Sequence, residues 1–411
     1  MSAVHRRQAK GREFLGLVTA LMASTALAID FALPAFPDMR AEFGMAADST
    51  QVGWLITAFF LGMSVGPWLY GPLSDRFGRR PPLFAGLALY AACAVAATFA
   101  TSWGVLVLIR FVWGLGSAAT RTLCMAMIRD RYDGDSMARA MSMIMAVFLI
   151  VPVVAPSASA LLIRIVDWRV VFWVPAGVVL ALMLCARRLP ETHAPERRRP
   201  MTWRAVGDSA QQVLRSRAAM SYTLASTFLL GVLYVFIAGL EVIVADVYDR
   251  GTWFPVIFGV IGVLFALSSL NNARLVQHIG LMSLLRRLSV LASVASVVFA
   301  VVALATGGRP HLLVFLVLLA LVLGTVQGLI TNCNTAALSP RAHVAGTGSA
   351  VITTVSTALG SMLANAANSA FNGTVTPFVL LVGLYAVAAT VFVFAGSAAT
   401  ARVSERSATA T

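Results

Sequence analysis

The sequence predicts an all-α membrane protein with twelve transmembrane helices in two six-helix, pseudo-symmetric bundles. Three observations carry that prediction: composition, the number of apolar runs, and the distribution of positive charge. Of 411 residues, 59% are hydrophobic and only 12% are charged, whereas soluble domains carry about 25% charged residues. Apolar runs fall at about 14–34, 51–71, 82–101, 104–125, 138–163, 168–186, 218–240, 252–271, 283–305, 311–336, 345–369 and 376–396. Each is long enough, or nearly so, to cross about 30 Å of hydrocarbon as a helix. If alternate connections lie on the same side, about 23 of the 31 Lys and Arg residues fall on one side and about 5 on the other. The positive-inside rule then puts both termini in the cytoplasm, and an odd number of spans would scramble the asymmetry.

The first run follows Arg6, Arg7, Lys10 and Arg12, as in a signal peptide. It is longer than a signal h-region and no convincing cleavage site follows, so it is read as an uncleaved first span. The widest gap, 187–217, holds three prolines and eight arginines and reads as a cytoplasmic linker. The expected organisation is therefore a cytoplasmic N-terminus at 1–13, a first bundle at 14–186, the linker at 187–217, a second bundle at 218–396 and a cytoplasmic tail at 397–411. The formal charge of +14 is spread between apolar runs, which points to membrane orientation and anionic headgroups rather than to nucleic acid. Cys93, Cys124, Cys185 and Cys333 lie in different runs without metal spacing, so they are expected as buried small hydrophobes. No cofactor is expected. The absence of a Walker-type loop, a metal cluster and a nucleophile–base pair points away from an enzyme and toward an ion gradient as energy source. Arginine far outnumbers lysine and alanine is abundant, a compositional hint of a bacterial source and hence of the inner membrane.

The densest charge lies between the second and third runs, at Gly71-Pro-Leu-Ser-Asp75-Arg76-Phe-Gly78-Arg79-Arg80. Such charges cannot sit in hydrocarbon, so the stretch is expected as a short loop at a membrane face, with Gly71 and Gly78 permitting close approach and a sharp reversal. A worn copy stands at Asn271–Gly280: sliding by 202 residues puts Gly280 on Gly78 but Gln277 on Asp75. Arg121, Arg129 and Asp130 come to the same face, and with the first stretch they are expected to form an ion-pair cluster that closes an inner gate and breaks when the halves rock.

Two charges lie inside runs. Asp30 sits late in the first run and Arg110 about seven residues into the fourth, which places them at similar depth in the outer third of the membrane. A lone intramembrane charge costs at least about 2.5–3.5 kcal/mol, so a charge pair facing a central cavity is expected. A carboxylate balanced between burial and a guanidinium can exchange a proton as the cavity opens to either side. A fixed pair that only locks helices is the structural alternative. Arg110 and Arg121, three turns apart, share a helix face with Gly114 and Ser117. Polar or large candidates for the cavity wall are Thr57, Trp113, Met143, Tyr234, Asn271, Gln327, Asn332 and Asn365. Glu241, near the outer end of the seventh run, is expected as an acid at headgroup level, with a second titratable group in the coupling as the alternative.

The pattern G-x3-D-R-x-G-R-R at 71–80 resembles the loop between helices 2 and 3 of the major facilitator superfamily. Further stretches are similar to the Bcr/CflA-type drug:proton antiporters: Ile128-Arg129-Asp130-Arg-Tyr132, Pro152-Val-Val-Ala155-Pro156, Asp167-Trp168-Arg169, Gly328-Leu-Ile-Thr-Asn332 and Gly346-Thr-Gly-Ser349. The likeness covers nearly the whole chain outside the termini and linker. It implies export of amphipathic drugs or antibiotics in exchange for protons by alternating access, with Asp30 and Arg110 in the central chemistry and Pro152, Ala155 and Pro156 in the antiporter motif of helix 5. Where relatives continue that motif with glycines, this chain has Ser157, Ala158, Ser159 and Ala160, which implies looser packing. Some relatives carry a second acid two turns before Asp30, where this chain has Met22. The implied partners are a small amphipathic substrate, protons and the lipid bilayer, around a monomer. A proton-coupled or facilitative importer of a nutrient, and a non-transporting receptor on the same scaffold, are the competing readings. The antiporter motif favours export, and no large soluble domain favours a receptor.

Overall fold

The computed structural model describes residues 3–197, 207, 211, 214–338 and 345–409, and nearly half of the expected linker lies outside them. Among the described residues all regular structure is helical: α1 (Ala3–Asp30), α2 (Phe36–Glu42), α3 (Trp54–Phe77), α4 (Arg80–Thr98), α5 (Trp103–Arg131), α6 (Gly134–Ile163), α7 (Val170–Ala186), α8 (Arg217–Val242), α9 (Phe254–Ile279), α10 (Leu281–Ala305), α11 (Leu312–Leu338), α12 (Ala345–Ser369) and α13 (Thr376–Thr409). Ten helices are long and apolar enough to cross a membrane among the described residues. The shorter apolar stretches Ile150–Ile163 and Val170–Ala186 stand where spans five and six are expected.

The chain divides into two compact units. The first comprises Met1–Ala47, Ala58–Thr202 and Pro255–Gly262; the second comprises Asp48–Thr57, Trp203–Phe254 and Val263–Thr411. The opening turns of α3 thus cluster with the second unit and those of α9 with the first, a detail outside the expected 14–186 and 218–396 division.

In the first unit α4 packs on α5 and α7, and α1 on α5, α6 and α7. The crossing of α3 and α5 depends on two glycines: a methyl group on Gly62 would overlap the Phe111 carbonyl, and one on Gly114 the Phe59 carbonyl. Without a hydrophobic driving force between helices in lipid, such close backbone approach is what holds them together. In the second unit α8 is central, packed against α11, α12 and α13, while α10 packs on α11 and α13. Past Val242, α8 continues as a π-helical turn over Ile243–Val247.

Several expected ends move. The first run is helical from Ala3, breaks after Asp30 and resumes through Pro34 and Pro37 into α2. The last helix runs on to Thr409, through the expected tail. Cys93, Cys124 and Cys333 are buried, but Cys185 is exposed, because it lies on an outward face of α7.

Candidate functional site: an arginine clasp and an intramembrane acid

The charged stretch is mostly helix, a correction to the expected loop. Helix α3 runs through Phe77 and α4 starts at Arg80, so the reversal takes two residues. Gly78 makes it possible with φ of +91°, a backbone region open to glycine and strained for other residues. Its N–H donates to the Ser74 carbonyl at 3.0 Å. Gly71 lies inside α3 with open space where a side chain would go, so neither close approach nor the reversal requires it. Pro81 and Pro82 occupy the first turn of α4, where a missing N–H is no loss.

Arg79 gathers the cluster. Its Nη1 donates to Asp75 Oδ1 and to Ser74 Oγ, both at 2.7 Å, and its Nε to Asp130 Oδ2 at 3.0 Å. Thr192 Oγ1 donates to the same Asp130 oxygen at 3.0 Å. Glu191 accepts the backbone N–H of Arg79 at 2.8 Å, of Arg80 at 3.1 Å and of His193 at 3.0 Å. One carboxylate therefore caps the α4 N-terminus from more than a hundred residues away, where the helix presents unpaired donors and partial positive charge. Partial burial pushes the Glu191 carboxyl up, but the N–H groups of Arg79, His193, Arg80 and Thr192 outweigh it and hold the pKa below its ordinary value. Burial likewise works to lower Arg79, yet its hydrogen bonds to Asp130 and Asp75 prevail and leave it above the usual arginine value.

Other expected members of the cluster stay out of it. Arg80 donates to the Arg187 carbonyl at 3.0 Å, just past the end of α7. Arg76 stacks on Phe77 and Arg129 turns back to the Met125 carbonyl of its own helix. Arg121 is exposed and forms no ion pair among the described residues. The guanidiniums outnumber the acids here, and only Arg79 lies between Asp75 and Asp130. Every partner in the clasp among the described residues belongs to the first unit. Sequence reasoning missed Ser74, Glu191 and Thr192. The available signal was an acid directly after Pro190 in an arginine-rich stretch, five residues past the end of α7 and so close to the same membrane face.

Asp30 and Arg110 are both buried, at 4% and 0% exposure. They do not form the expected ion pair: no Asp30–Arg110 contact within 4.0 Å occurs among the described residues. Arg110 Nη1 instead donates to the Ala28 carbonyl at 2.8 Å, one of the final α1 carbonyls that lack a helical partner and carry partial negative charge. Its guanidinium carbon also lies 4.8 Å from the Trp113 ring centre, 5.5 Å from Phe172 and 5.8 Å from Phe59. Ring quadrupoles and a helix end thus compensate the cation. Two further helices hold the same end of α1: Tyr90 donates to the Ser24 carbonyl at 2.9 Å and Ser159 to the Phe31 carbonyl at 2.6 Å. Ser159, a departure from the glycine pattern, therefore ties α6 to α1. Pro156 and Ala155 beside it are buried and Pro152 is half-buried. The carbonyls at 24, 28 and 31 are fixed from α4, α5 and α6, whereas the Asp30 carboxyl has no hydrogen bond or ion pair among the described residues.

The cavity candidates scatter. Trp113 is core, edge-on to Tyr90, Phe59 and Phe172 beneath Arg110, so it is no cavity wall. Asn271 is exposed; the buried amide is its neighbour Asn272, which exchanges hydrogen bonds with Asn332 at 2.9 and 3.3 Å. Asn332 is thereby occupied in a link between α9 and α11. Thr57 and Tyr234 are buried, Met143 is exposed, and Gln327 and Asn365 are half-buried. Glu241 is buried at 3% exposure rather than on the surface, and α8 continues past it into the π-helical turn.

The architecture is that of a polytopic membrane transporter rather than an enzyme. The family model described as Major Facilitator Superfamily matches residues 17–365, and the chain belongs to that superfamily. It is 27% identical over 361 residues to a bicyclomycin resistance protein homolog of Haemophilus influenzae, covering 86% of this chain and 88% of that protein. It is 29% identical over 258 residues to the multidrug transporter MdfA of Edwardsiella ictaluri, covering 61% of each chain. Among solved structures it is similar to a D-xylose–proton symporter, with a TM-score of 0.74 and 15% identity over 92% of this chain and 97% of that one. That last likeness concerns the fold alone.

Proposed function

We propose that this chain exports small amphipathic drugs or antibiotics in exchange for protons, by alternating access of two six-helix halves at about 14–186 and 218–396. It works as a monomer in the bacterial inner membrane, with both termini in the cytoplasm. Similarity to bicyclomycin and multidrug resistance proteins supports the substrate class. The observation that carries the coupling is Asp30, a buried carboxyl without a partner of its own at a helix end whose flanking carbonyls are pinned by Tyr90, Arg110 and Ser159. Its charge in hydrocarbon costs at least about 2.5–3.5 kcal/mol, so the ionised form favours a conformation that hydrates it and the protonated form one that does not. Proton exchange at this position therefore biases access to one side or the other. Arg110, bound to the Ala28 carbonyl two residues away, is the nearest cation that the structure places on this end of α1. The Arg79 clasp keeps the ends of α3, α4 and α5 together with the segment after α7, so that the first unit moves as one body.

The test is a panel of drug-susceptibility and accumulation assays in a bacterial host stripped of its own pumps. Expression is expected to raise resistance to some amphipathic compounds and to lower their accumulation until the proton gradient is dissipated. Accumulation that rises on expression would favour the importer.

A further inference from the structure

At one end of the second unit, the first turns of α8 and the last apolar turns of α13 leave a groove of about 460 Å³. Arg217 and Arg402 stand on its rim, and its wall is made by Met220, Leu224, Ala395 and Ala399. Arg217 is the first residue of α8, and Arg402 is the first charged residue of α13, six residues past its apolar run at 376–396. Leu224 and Ala395 each lie seven residues further in, roughly 10 Å deeper at the helical rise. The groove is thus graded along the membrane normal, with cations at headgroup level and small or flexible apolar side chains where hydrocarbon begins.

We propose that this groove binds an anionic phospholipid, with the phosphate between the two guanidiniums and one acyl chain along the α8–α13 wall. Both arginines are exposed, and neither forms an ion pair or a side-chain hydrogen bond among the described residues. A guanidinium matches two phosphate oxygens at once, and its planar fork fits a phosphodiester better than a point charge does. The chain's own arginine-rich 197–204 stretch has the wrong sign to fill the site. Free inorganic phosphate would leave the apolar wall uncovered. Basic pockets at the ends of transmembrane helices are suited to anionic headgroups, and each arginine near the surface adds to the attraction. The site is separate from the Arg79 clasp and from Asp30, which belong to the first unit.

The experiment uses the full-length protein in detergent. Native mass spectrometry and thermal unfolding are read with phosphatidylglycerol, with phosphatidylcholine of the same acyl chains, and with inorganic phosphate. Phosphatidylglycerol is expected to bind and stabilise in clear preference to the other two. The double variant Arg217→Gln/Arg402→Gln is expected to lose that preference, with binding weakened about tenfold or more. A charge-matched control, Arg274→Gln/Arg287→Gln, is expected to keep it. Each single substitution is read as well, so that poor folding of the double variant does not hide the effect; each is expected to weaken binding part of the way. Equal binding of phosphatidylcholine would overturn the proposal. So would equal stabilisation by inorganic phosphate, or an unchanged preference in the Arg217→Gln and Arg402→Gln proteins.

Discussion

The turns at 71–80 and 271–280 have one backbone device and two different chemistries. At the first, the Gly78 N–H closes on the Ser74 carbonyl at 3.0 Å with φ of +91°; at the second, the Gly280 N–H closes on the Val276 carbonyl at 3.0 Å with φ of +75°. In each case a helix ends and the next begins within two residues. What differs is the side chains. The 202-residue slide puts Gln277 on Asp75, Val276 on Ser74 and Leu281 on Arg79, so the second turn lacks the acid and has no guanidinium at the Arg79 position. Backbone geometry persists because steric constraint alone enforces it. The clasp needs six side chains, Ser74, Asp75, Arg79, Asp130, Glu191 and Thr192, from three segments, and among the described residues it exists in the first unit only.

The largest effect is expected at Arg79. Its side chain is 10% exposed, against 18% for Asp130 and 54% for Asp75. Arg79→Gln therefore leaves Asp130 without its cation in a partly dry setting. The loss is expected between the about 0–1 kcal/mol of a surface pair and the about 3–5 kcal/mol of a broken buried pair. Thermal unfolding in detergent and drug efflux are the readouts, and both should fall. Asp75, half exposed, should matter less to stability: Asp75→Asn is expected to cut transport with abundance nearly intact.

Next comes the turn itself. Gly280 has φ of 75° and ψ of 153°, a region that is almost exclusive to glycine, so Gly280→Ala is expected to cost about 1–3 kcal/mol. Gly78→Ala should lower stability similarly and, unlike Gly280→Ala, also displace Arg79. Matched melts of the two variants with efflux assays separate backbone strain from loss of the clasp.

Glu191→Gln should cost about 0.5–2 kcal/mol, the range for loss of a helix cap, and near its lower end because the residue is exposed. Its pH dependence has a definite sign. The folded-state pKa lies below the ordinary 4.5, so the stabilisation is fully present above the unfolded value and is lost as pH falls through the folded one. The gap between wild type and Glu191→Gln melts should be constant from neutral pH down to about 5 and should close under more acidic conditions. A gap that widened on acidification would contradict the capping role.

The smallest effect is expected when the acid is restored to the worn turn. Gln277 is exposed and faces no arginine at position 281, so Gln277→Asp should stay within about 0.5 kcal/mol of wild type. A marked change in transport would mean that the second turn retains a charged partner.

The sequence made the span order legible because long apolar runs leave a backbone in lipid little choice except helix. The run at 345–369 ends where its helix ends, at Ser369. The reversing glycines and the Arg79–Asp75–Asp130 group were also readable, since charge at a membrane face must find partners. Glu191 was not, because its partners lie 111 and 112 residues away and no local pattern marks a cap supplied at that distance. Asn271 was chosen over Asn272 because one residue turns a helix by about 100°, and a polar pair gives no clue to which of its members faces inward. Asp30 and Arg110 come to the same end of α1, as expected from their positions in the first and fourth runs. Their pairing failed because the guanidinium turns one N–H to the Ala28 carbonyl and packs among the Phe59, Trp113 and Phe172 rings instead.

That absence of an ion pair sharpens the test of Asp30. If Asp30 only balanced Arg110, Asp30→Asn would destabilise the protein by about 3–5 kcal/mol. With Arg110 held by Ala28 and the rings, the account predicts a stability change of less than about 1 kcal/mol. The decisive measurement is proton-driven uptake into inverted vesicles of a fluorescent compound identified by the susceptibility panel. Wild-type protein should accumulate it against its gradient when the vesicle lumen is made acidic. Asp30→Asn should bind it, because an amide has the size and hydrogen-bonding capacity of a protonated carboxyl, yet fail to concentrate it. A stable Asp30→Asn protein that pumps uphill at the wild-type rate would contradict the assignment of the coupling proton to Asp30.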